Sequence, residues 1–285
     1  MKEFKNISGV FIFDSKIKGP VITIFGGIHG DEISGVKVVD YLKDNFNNGK
    51  IKLLKGKVIL AYGNEEAIKK GTRQINYNLN RIFKKKFFDK KSDDYEVNRV
   101  KELKYLLDNS DVLLDIHSTS SKSEPFMFAE DFQDELKIGK IIGTDKIIIG
   151  WEKNGGDMLS GDTNLYMHSI GKIAFTLECG QHKSPDAFDI GLKTSLNLLK
   201  YFNLIDGNVN NYNNQLIVMY KIKTTKTGNF LFKDGIDNFK EIKKGELIGF
   251  DGDTEIIAEE DFIILLPNYG KTKIGEEVFY YGKYK

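Results

Sequence analysis

Residues 21–46, VITIFGGIHGDEISGVKVVDYLKDNF, hold the reading on which the fold turns. Val21 to Phe25 is a compact run of β-favouring residues closed by Gly26-Gly27. Beyond it Ile33, Val36, Val39, Leu42 and Phe46 return every three or four residues. The first pattern is that of a buried strand, the second that of a helix with one apolar face. Strand, glycine turn and helix in direct succession are the unit of an α/β sheet.

The same alternation continues outward. Lys57 to Tyr62, Val112 to Ile116, Ile147 to Ile149 and Ile173 to Leu177 are further strand-sized apolar runs. Tyr95 to Asn109 carries Val100, Leu103, Leu106 and Leu107 in helical register, and Ala187 to Leu204 closes the unit as a helix. Asp206 to Gln215 is a polar, asparagine-rich stretch and marks a boundary, giving a catalytic domain at 1–205 and a small all-β domain at 206–285. In the second unit six short strand-like runs are punctuated by glycines, the spacing of a compact barrel or sandwich.

Composition narrows the function. Across 285 residues, 42 Lys and Arg nearly cancel 41 Asp and Glu, so there is no field of the kind that draws nucleic acid. The basic runs near Lys84 and Lys90 are interleaved with Asp89, Asp93 and Asp94 and read as a solvated connection. The single cysteine, Cys179, cannot form an internal disulfide and fits a reducing compartment. Residues 1–14 lack the layout of a secretory signal, and no apolar run reaches the roughly 18–20 residues that span a bilayer. The expectation is a cytoplasmic protein with no membrane or nucleic acid partner; self-association into a homo-oligomer stays open.

The chemistry gathers at the ends of predicted strands, where open α/β sheets carry their ligand sites. His29-Gly30-Asp31-Glu32 follows the first glycine turn, and His117 follows the strand ending at Ile116. Two histidines and a carboxylate with a fourth position left to water make a catalytic zinc site, and their long spacing argues for a site assembled by the fold. Glu178, after the strand Ile173 to Leu177 and before Cys179-Gly180, is the candidate base for a water molecule. Asp115 shares a strand face with His117 and can hold its tautomer. Residues 71–81, GTRQINYNLNR, bring Arg73, Asn80 and Arg81, whose planar forks and amide suit an oxyanion or a carboxylate. The polar stretch around Gly155, Gly156, Asp157 and Asp162 reads as a loop over the cleft or a plain surface loop.

His29-Gly-Asp-Glu32, Asn78-Leu79-Asn80-Arg81, Asp115-Ile116-His117-Ser118-Thr119 and Glu178-Cys179-Gly180, in this order, resemble the motif set of the succinylglutamate desuccinylase and aspartoacylase family, relatives of zinc carboxypeptidases. The resemblance implies a mixed sheet flanked by helices with a β domain shaping the entrance. It implies one zinc on His29, Glu32 and His117, with Glu178 activating water and Arg73 polarising the scissile carbonyl. Asn80 and Arg81 would meet a substrate carboxylate, and Tyr280, near the carboxyl end, would complete the site. Where the family carries a further carboxylate-binding arginine this chain has His168. Asn78 stands for the usual aspartate, and Gly180-Gln181-His182 for the usual glycine-proline-glutamine. The expected activity is hydrolysis of the amide bond of a small N-acyl amino acid. A zinc carboxypeptidase acting on short peptides and a carboxylate-binding protein without turnover are the rivals.

Overall fold

The computed structural model describes residues 7–132, 134–154, 160–209 and 212–285. In chain order its elements begin β1 (Val10–Asp14), β2 (Val21–Gly26), α1 (Ile33–Asn47), β3 (Lys57–Tyr62) and α2 (Glu65–Lys70). They continue α3 (Lys85–Phe88), α4 (Tyr95–Asp108), β4 (Val112–Thr119), β5 (Phe126–Phe128), α5 (Glu135–Ile142) and β6 (Lys146–Ile149). Then come α6 (Thr163–Ser169), β7 (Ile173–Gln181), α7 (Ala187–Tyr201) and β8 (Gln215–Thr224). The chain ends with β9 (Phe230–Phe232), β10 (Glu241–Ile242), β11 (Leu247–Asp251), β12 (Thr254–Ile257), β13 (Phe262–Leu265) and β14 (Glu277–Tyr284). Eleven strands form one mixed sheet in the order β1-β3-β2-β4-β7-β5-β6-β8-β14-β13-β10, and β12-β11-β9 form a smaller one.

The centre of the large sheet is β2, β4 and β7, mutually parallel, and covered on both faces as parallel strands require. Ile22, Ile24, Leu114, Ile116, Phe175 and Leu177 pack with Val38, Val39 and Leu42 of α1 and Leu198 and Leu199 of α7. On the opposite face Phe25, Leu113 and Ala174 meet Leu103, Leu106 and Leu107 of α4 and Met167 of α6. Because side chains alternate along a strand, Asp115 and His117 continue the face of Leu113, and Glu178 continues that of Ala174. His117 and Glu178 are also partners across the ladder.

Both strands run further than their apolar cores suggest: β4 reaches Thr119 and β7 reaches Gln181. His117 and Glu178 thus lie inside paired strands, not just beyond them, since the ladder continues past the apolar residues to Thr119 and Gln181.

The polar break at 206–215 falls in the connection from α7 to β8, with residues 210 and 211 outside the described ones. Past it the chain adds to the same sheet. β8 lies parallel to β6, and β14 antiparallel to β8. Phe230, Ile248, Ile264 and Phe279 then fill a core with the smaller sheet. Among the described residues no helix is long and apolar enough to cross a membrane.

Candidate active site

The turn after β2 is held in close quarters. A Cβ on Gly26 would stand 2.2 Å from the Gly35 carbonyl oxygen of α1, and Gly27 has φ +72°, so the tight turn needs glycine at both places. Gly30 N donates to Arg73 O at 3.2 Å and Asn64 N to Gly27 O at 2.8 Å. This fixes His29 and Glu32 at the mouth of β2. The segment carrying Arg73 is anchored by Glu96, a fully buried carboxylate that accepts from Ile75 N at 2.6 Å, Asn76 N at 3.1 Å and Asn64 Nδ2 at 3.0 Å.

His29, Glu32 and His117 converge, all buried, with one ligand atom from each within 4.8 Å of the other two. Glu32 lies between the rings: His29 Nδ1 is 2.8 Å from its Oε1 and His117 Nδ1 is 2.9 Å from its Oε2. Arg73 Nη1 adds a contact to Oε1 at 3.2 Å and Ser118 N one to Oε2 at 3.1 Å. Burial alone would raise the Glu32 pKa, but the two imidazoles hold it well below the carboxylate range.

The donors fit a divalent metal, and the hydrogen bonds say why. His29 Nε2 is 3.1 Å from Asn78 Oδ1, an oxygen that can only accept, so Nε2 carries the hydrogen of the neutral ring. Burial lowers the His29 pKa and keeps the ring neutral. In that neutral form the bare Nδ1 faces a carboxylate oxygen 2.8 Å away, a clash of lone pairs that a proton or a metal cation between them relieves. For His117, burial acts downward, but the charges of Asp115 and Glu32 outweigh it and hold the pKa well above its usual value. Asp115 Oδ2 lies 3.0 Å from His117 Nε2, an ion-pair distance without hydrogen-bond alignment, and its charge stands on the side of the ring away from Nδ1, which faces the shared centre. Asp115 is itself gripped by Thr163 Oγ1 at 2.6 Å. Two imidazoles and a carboxylate, with Asp115 and Asn78 orienting the rings, are a donor set suited to zinc.

Glu178 stands beside this group. Its Oε2 is shielded from solvent and has no hydrogen-bond partner. Burial first, and the Glu32 charge second, push its pKa up to about 8. A cation on the neighbouring trio acts in the opposite sense.

Two cavities meet here. One, of about 220 Å³, is lined by His29, His117 and Glu178 together with Arg73, Asn80, Arg81 and Tyr280. The other, of about 400 Å³, shares His29, Arg73 and Glu178 and adds Asp31, Ser118, His182 and Asn238. Ser118 Oγ and His182 Nδ1 are 2.8 Å apart. Arg81 Nη1 donates to Asn80 O at 2.8 Å, and Asn80 Oδ1 accepts from Thr163 N at 3.1 Å. Tyr280 is 4% exposed, and burial followed by the Glu277 charge raises its phenol pKa strongly.

The structure does not bring His168 to either cavity. Its Nε2 lies 2.7 Å from Glu135 Oε2 and its Nδ1 3.4 Å from Glu152 Oε2. Glu135 is fully buried, and a buried carboxylate needs donors; His168 supplies one beside Ala174 N at 3.1 Å. Residues 155–159, including Gly155, Gly156 and Asp157, lie outside the described residues. Asp162 of the same stretch lines the smaller cavity, as do Phe128, Trp151, Asn164, Asn268 and Glu277. Sequence reasoning passed over those five: Phe128 and Glu277 sit at strand ends, Asn268 on a loop, and Trp151 and Asn164 on short helical turns, none within a motif. The polar capping residue Asp162, accepting from Leu165 N at 2.7 Å, is the one local signal that a helix starts near the site.

A model of the succinylglutamate desuccinylase/aspartoacylase catalytic domain matches residues 18–202. A succinylglutamate desuccinylase of Pseudoalteromonas atlantica is 26% identical over 290 residues, covering 91% of this chain and 81% of that protein. Aspartoacylase of Rattus norvegicus is 34% identical over 126 residues, covering 41% of this chain and 40% of that protein. Among solved structures, a succinylglutamate desuccinylase from Vibrio cholerae superposes with a TM-score of 0.79 at 20% identity, covering 97% of this chain and 85% of that one. A product-bound ectoine utilization protein from Ruegeria pomeroyi does so with 0.76 at 20% identity, covering 96% and 88%. The match over residues 18–202, more than half of the chain, establishes that the chain belongs to the succinylglutamate desuccinylase/aspartoacylase family.

Proposed function

We propose that this protein is a zinc-dependent deacylase that hydrolyses the amide bond of a small N-acyl amino acid. The observation that carries the reading is Glu178: a shielded carboxylate with an unpartnered oxygen, paired across the ladder with His117. Asp115 Oδ1 is likewise shielded without a partner, but Asp115 lines neither cavity, whereas Glu178 lines both, where a water can meet it.

His29, Glu32 and His117 would hold one zinc ion, which when bound lowers the pKa of a coordinated water and polarises a carbonyl oxygen. Glu178 takes the proton of the attacking water and returns it to the leaving nitrogen. Arg73, already 3.2 Å from Glu32 Oε1, holds the charge that develops on the carbonyl oxygen. Arg81 and the NH₂ of Asn80 receive the substrate's carboxylate; the Asn80 oxygen is occupied by Thr163 N. The carboxyl-terminal unit shapes the entrance, a role supported by Leu266, Glu277 and Tyr280 in the cavity wall. The lone, buried Cys179 fits a cytoplasmic setting.

The test is zinc content together with release of free amine from N-acetyl-, N-succinyl- and N-formyl-amino acids, with Glu178→Ala as control. About one zinc per chain and turnover only by the unmutated protein bear the reading out. A zinc-loaded, fully active Glu178→Ala protein removes the base, and absence of metal binding removes the reading.

A further inference from the structure

His168 stands apart from both cavities, 9% exposed, and carboxylates meet it from three directions. Glu135 of α5 places Oε2 2.7 Å from Nε2, and Glu152, on the helical turn after β6, places Oε2 3.4 Å from Nδ1. Glu130, between β5 and α5, adds its charge from further off. The Phe132 ring packs beside the imidazole, 5.4 Å between centroids. Both Glu135 oxygens accept a backbone N–H, Oε1 from Glu130 at 2.5 Å and Oε2 from Ala174 at 3.1 Å, so Nε2 is the nitrogen that carries the hydrogen of a neutral ring. Nδ1 is shielded from solvent without a hydrogen-bond partner. In the neutral ring its lone pair turns toward the Glu152 carboxylate and repels it. In the imidazolium an N–H and a charge attract that carboxylate instead.

Glu152 adjoins Trp151, and the turn that bears both is tied down on either side of the indole. Glu130 accepts from Gly150 N and from Glu152 N, each at 3.0 Å. Trp151 Nε1 donates to Asp162 Oδ2 at 3.1 Å, and Asp162 caps α6, the helix that carries His168. Turn and helix are therefore joined at the first turn of α6 by Trp151 with Asp162, and at its last by Glu152 with His168. Trp151 in turn lines the smaller cavity, its ring centroid 4.6 Å from that of Phe128 and 5.2 Å from that of Tyr280.

We propose that His168 is a positioning residue for the substrate cavity: as an imidazolium between Glu135 and Glu152 it clamps the Trp151 turn against α6, and its deprotonation releases the clamp. Burial acts to lower the His168 pKa, but Glu135, Glu152 and Glu130 outweigh it and raise the value above 6.5. The clamp is therefore complete below 6.5 and is lost as pH rises through the higher folded-state value. Released, the wall receives substrate less well while the metal group is untouched. The inference rests on the deacylase reading for its kinetic readout alone.

Trp151 is the chain's one tryptophan, so its emission reports on the wall directly. On the zinc-loaded protein, emission and KM for the best N-acyl amino acid are followed as pH is raised from about 6 to about 9. The unmutated protein should show an emission step above 6.5 and a parallel rise in KM of about two- to fivefold, the size expected of a partly exposed ion pair. Glu152→Gln, checked for fold by circular dichroism, should abolish both, because a carboxamide accepts from the imidazolium and donates to the neutral ring alike. Glu152→Ala should show the high-pH emission and KM throughout, with kcat at each pH unchanged. A step that persists in Glu152→Gln belongs to Asp162, Glu130 or Glu178 and overturns the inference, as does absence of a step in the unmutated protein. If the emission behaves as expected and nothing is cleaved, the positioning role stands and the deacylase reading falls. If substrates are cleaved with KM and emission unmoved by Glu152→Ala, the reverse holds.

Discussion

Two carboxylates withdrawn from water, one on a strand of the large sheet and one on a strand of the smaller sheet, have opposite fates. Glu178, on β7 beside the metal group, has an oxygen without a partner, and its pKa is pushed up to about 8 by burial and by Glu32. Asp251, at the end of β11, is 4% exposed and accepts from Thr225 Oγ1, Thr227 Oγ1, Lys226 N and Thr227 N. Burial alone would raise its pKa too, but those donors outweigh it and pull it down to about 2. Burial raises both, and it prevails in Glu178, where no hydrogen-bond donor opposes it. The number of donors around the carboxylate separates a group built to react from one built to hold a turn.

The sharpest way to break this contrast is Glu178→Ala. If Glu178 is the base, kcat for the best N-acyl amino acid should fall by about 10²–10⁴-fold with zinc content unchanged. The metal-free protein adds a pH test of the same residue. In the unfolded chain Glu178 ionises near 4.5, and in the folded chain it keeps its proton to about 8. Its contribution to stability therefore falls as pH rises between those values and levels above them. Glu178→Gln should flatten that slope in denaturant titrations, and a slope of unchanged size would assign it to other groups.

Next in size is Asp115→Asn. Asp115 lies 3.0 Å from His117 Nε2 and is clamped by Thr163 Oγ1. Losing its charge should weaken zinc by about 10–100-fold, measured by competition with a chelator. Unaltered affinity would reduce Asp115 to a packing residue.

How much of this was legible in the sequence follows from the range of the interactions. His29, Glu32, His117 and Glu178 were readable because a glycine turn and apolar runs announce the strands that carry them, and because period-two alternation puts Asp115 and His117 on one face. The cavity's far wall was not. Trp151 meets Tyr280, and Asn164 shares a cavity with it, because β8 adds to β6 and β14 to β8, pairings that no local pattern encodes. The direction of His168 depends on Glu135, 33 positions away, whose burial is invisible in a helix that otherwise reads as amphipathic. Short β5 pairs with β6 and β7, yet its three residues, FMF, are too few to show a period.

Arg81→Ala probes the recognition end of the same cavity. If it is the cation that meets the carboxylate, KM should rise by about tenfold or more while kcat moves little, since charge-assisted bonds there serve ground and transition states alike. A matching fall in kcat with KM unchanged would place Arg81 with the reacting carbonyl instead of the carboxylate.

The smallest effect belongs to the other carboxylate, and its sign is the point. Asp251 is depressed from 3.8 to about 2 in the folded chain, so its ionised form contributes stability that is fully present above 3.8 and fades as pH falls through 2. That contribution is about 2 kcal/mol. Asp251→Asn keeps an acceptor but loses the charge and the second oxygen, so thermal or denaturant unfolding near neutral pH should show a loss of about 1–2 kcal/mol. Activity per zinc should stay the same. Glu178→Gln should do the reverse, destroying turnover while leaving the metal-free fold as stable or more so above pH 8, because it removes a charge that the fold leaves without donors. If both substitutions destabilise alike, donor count does not distinguish the two carboxylates, and the argument that singles out Glu178 as the base loses its physical ground.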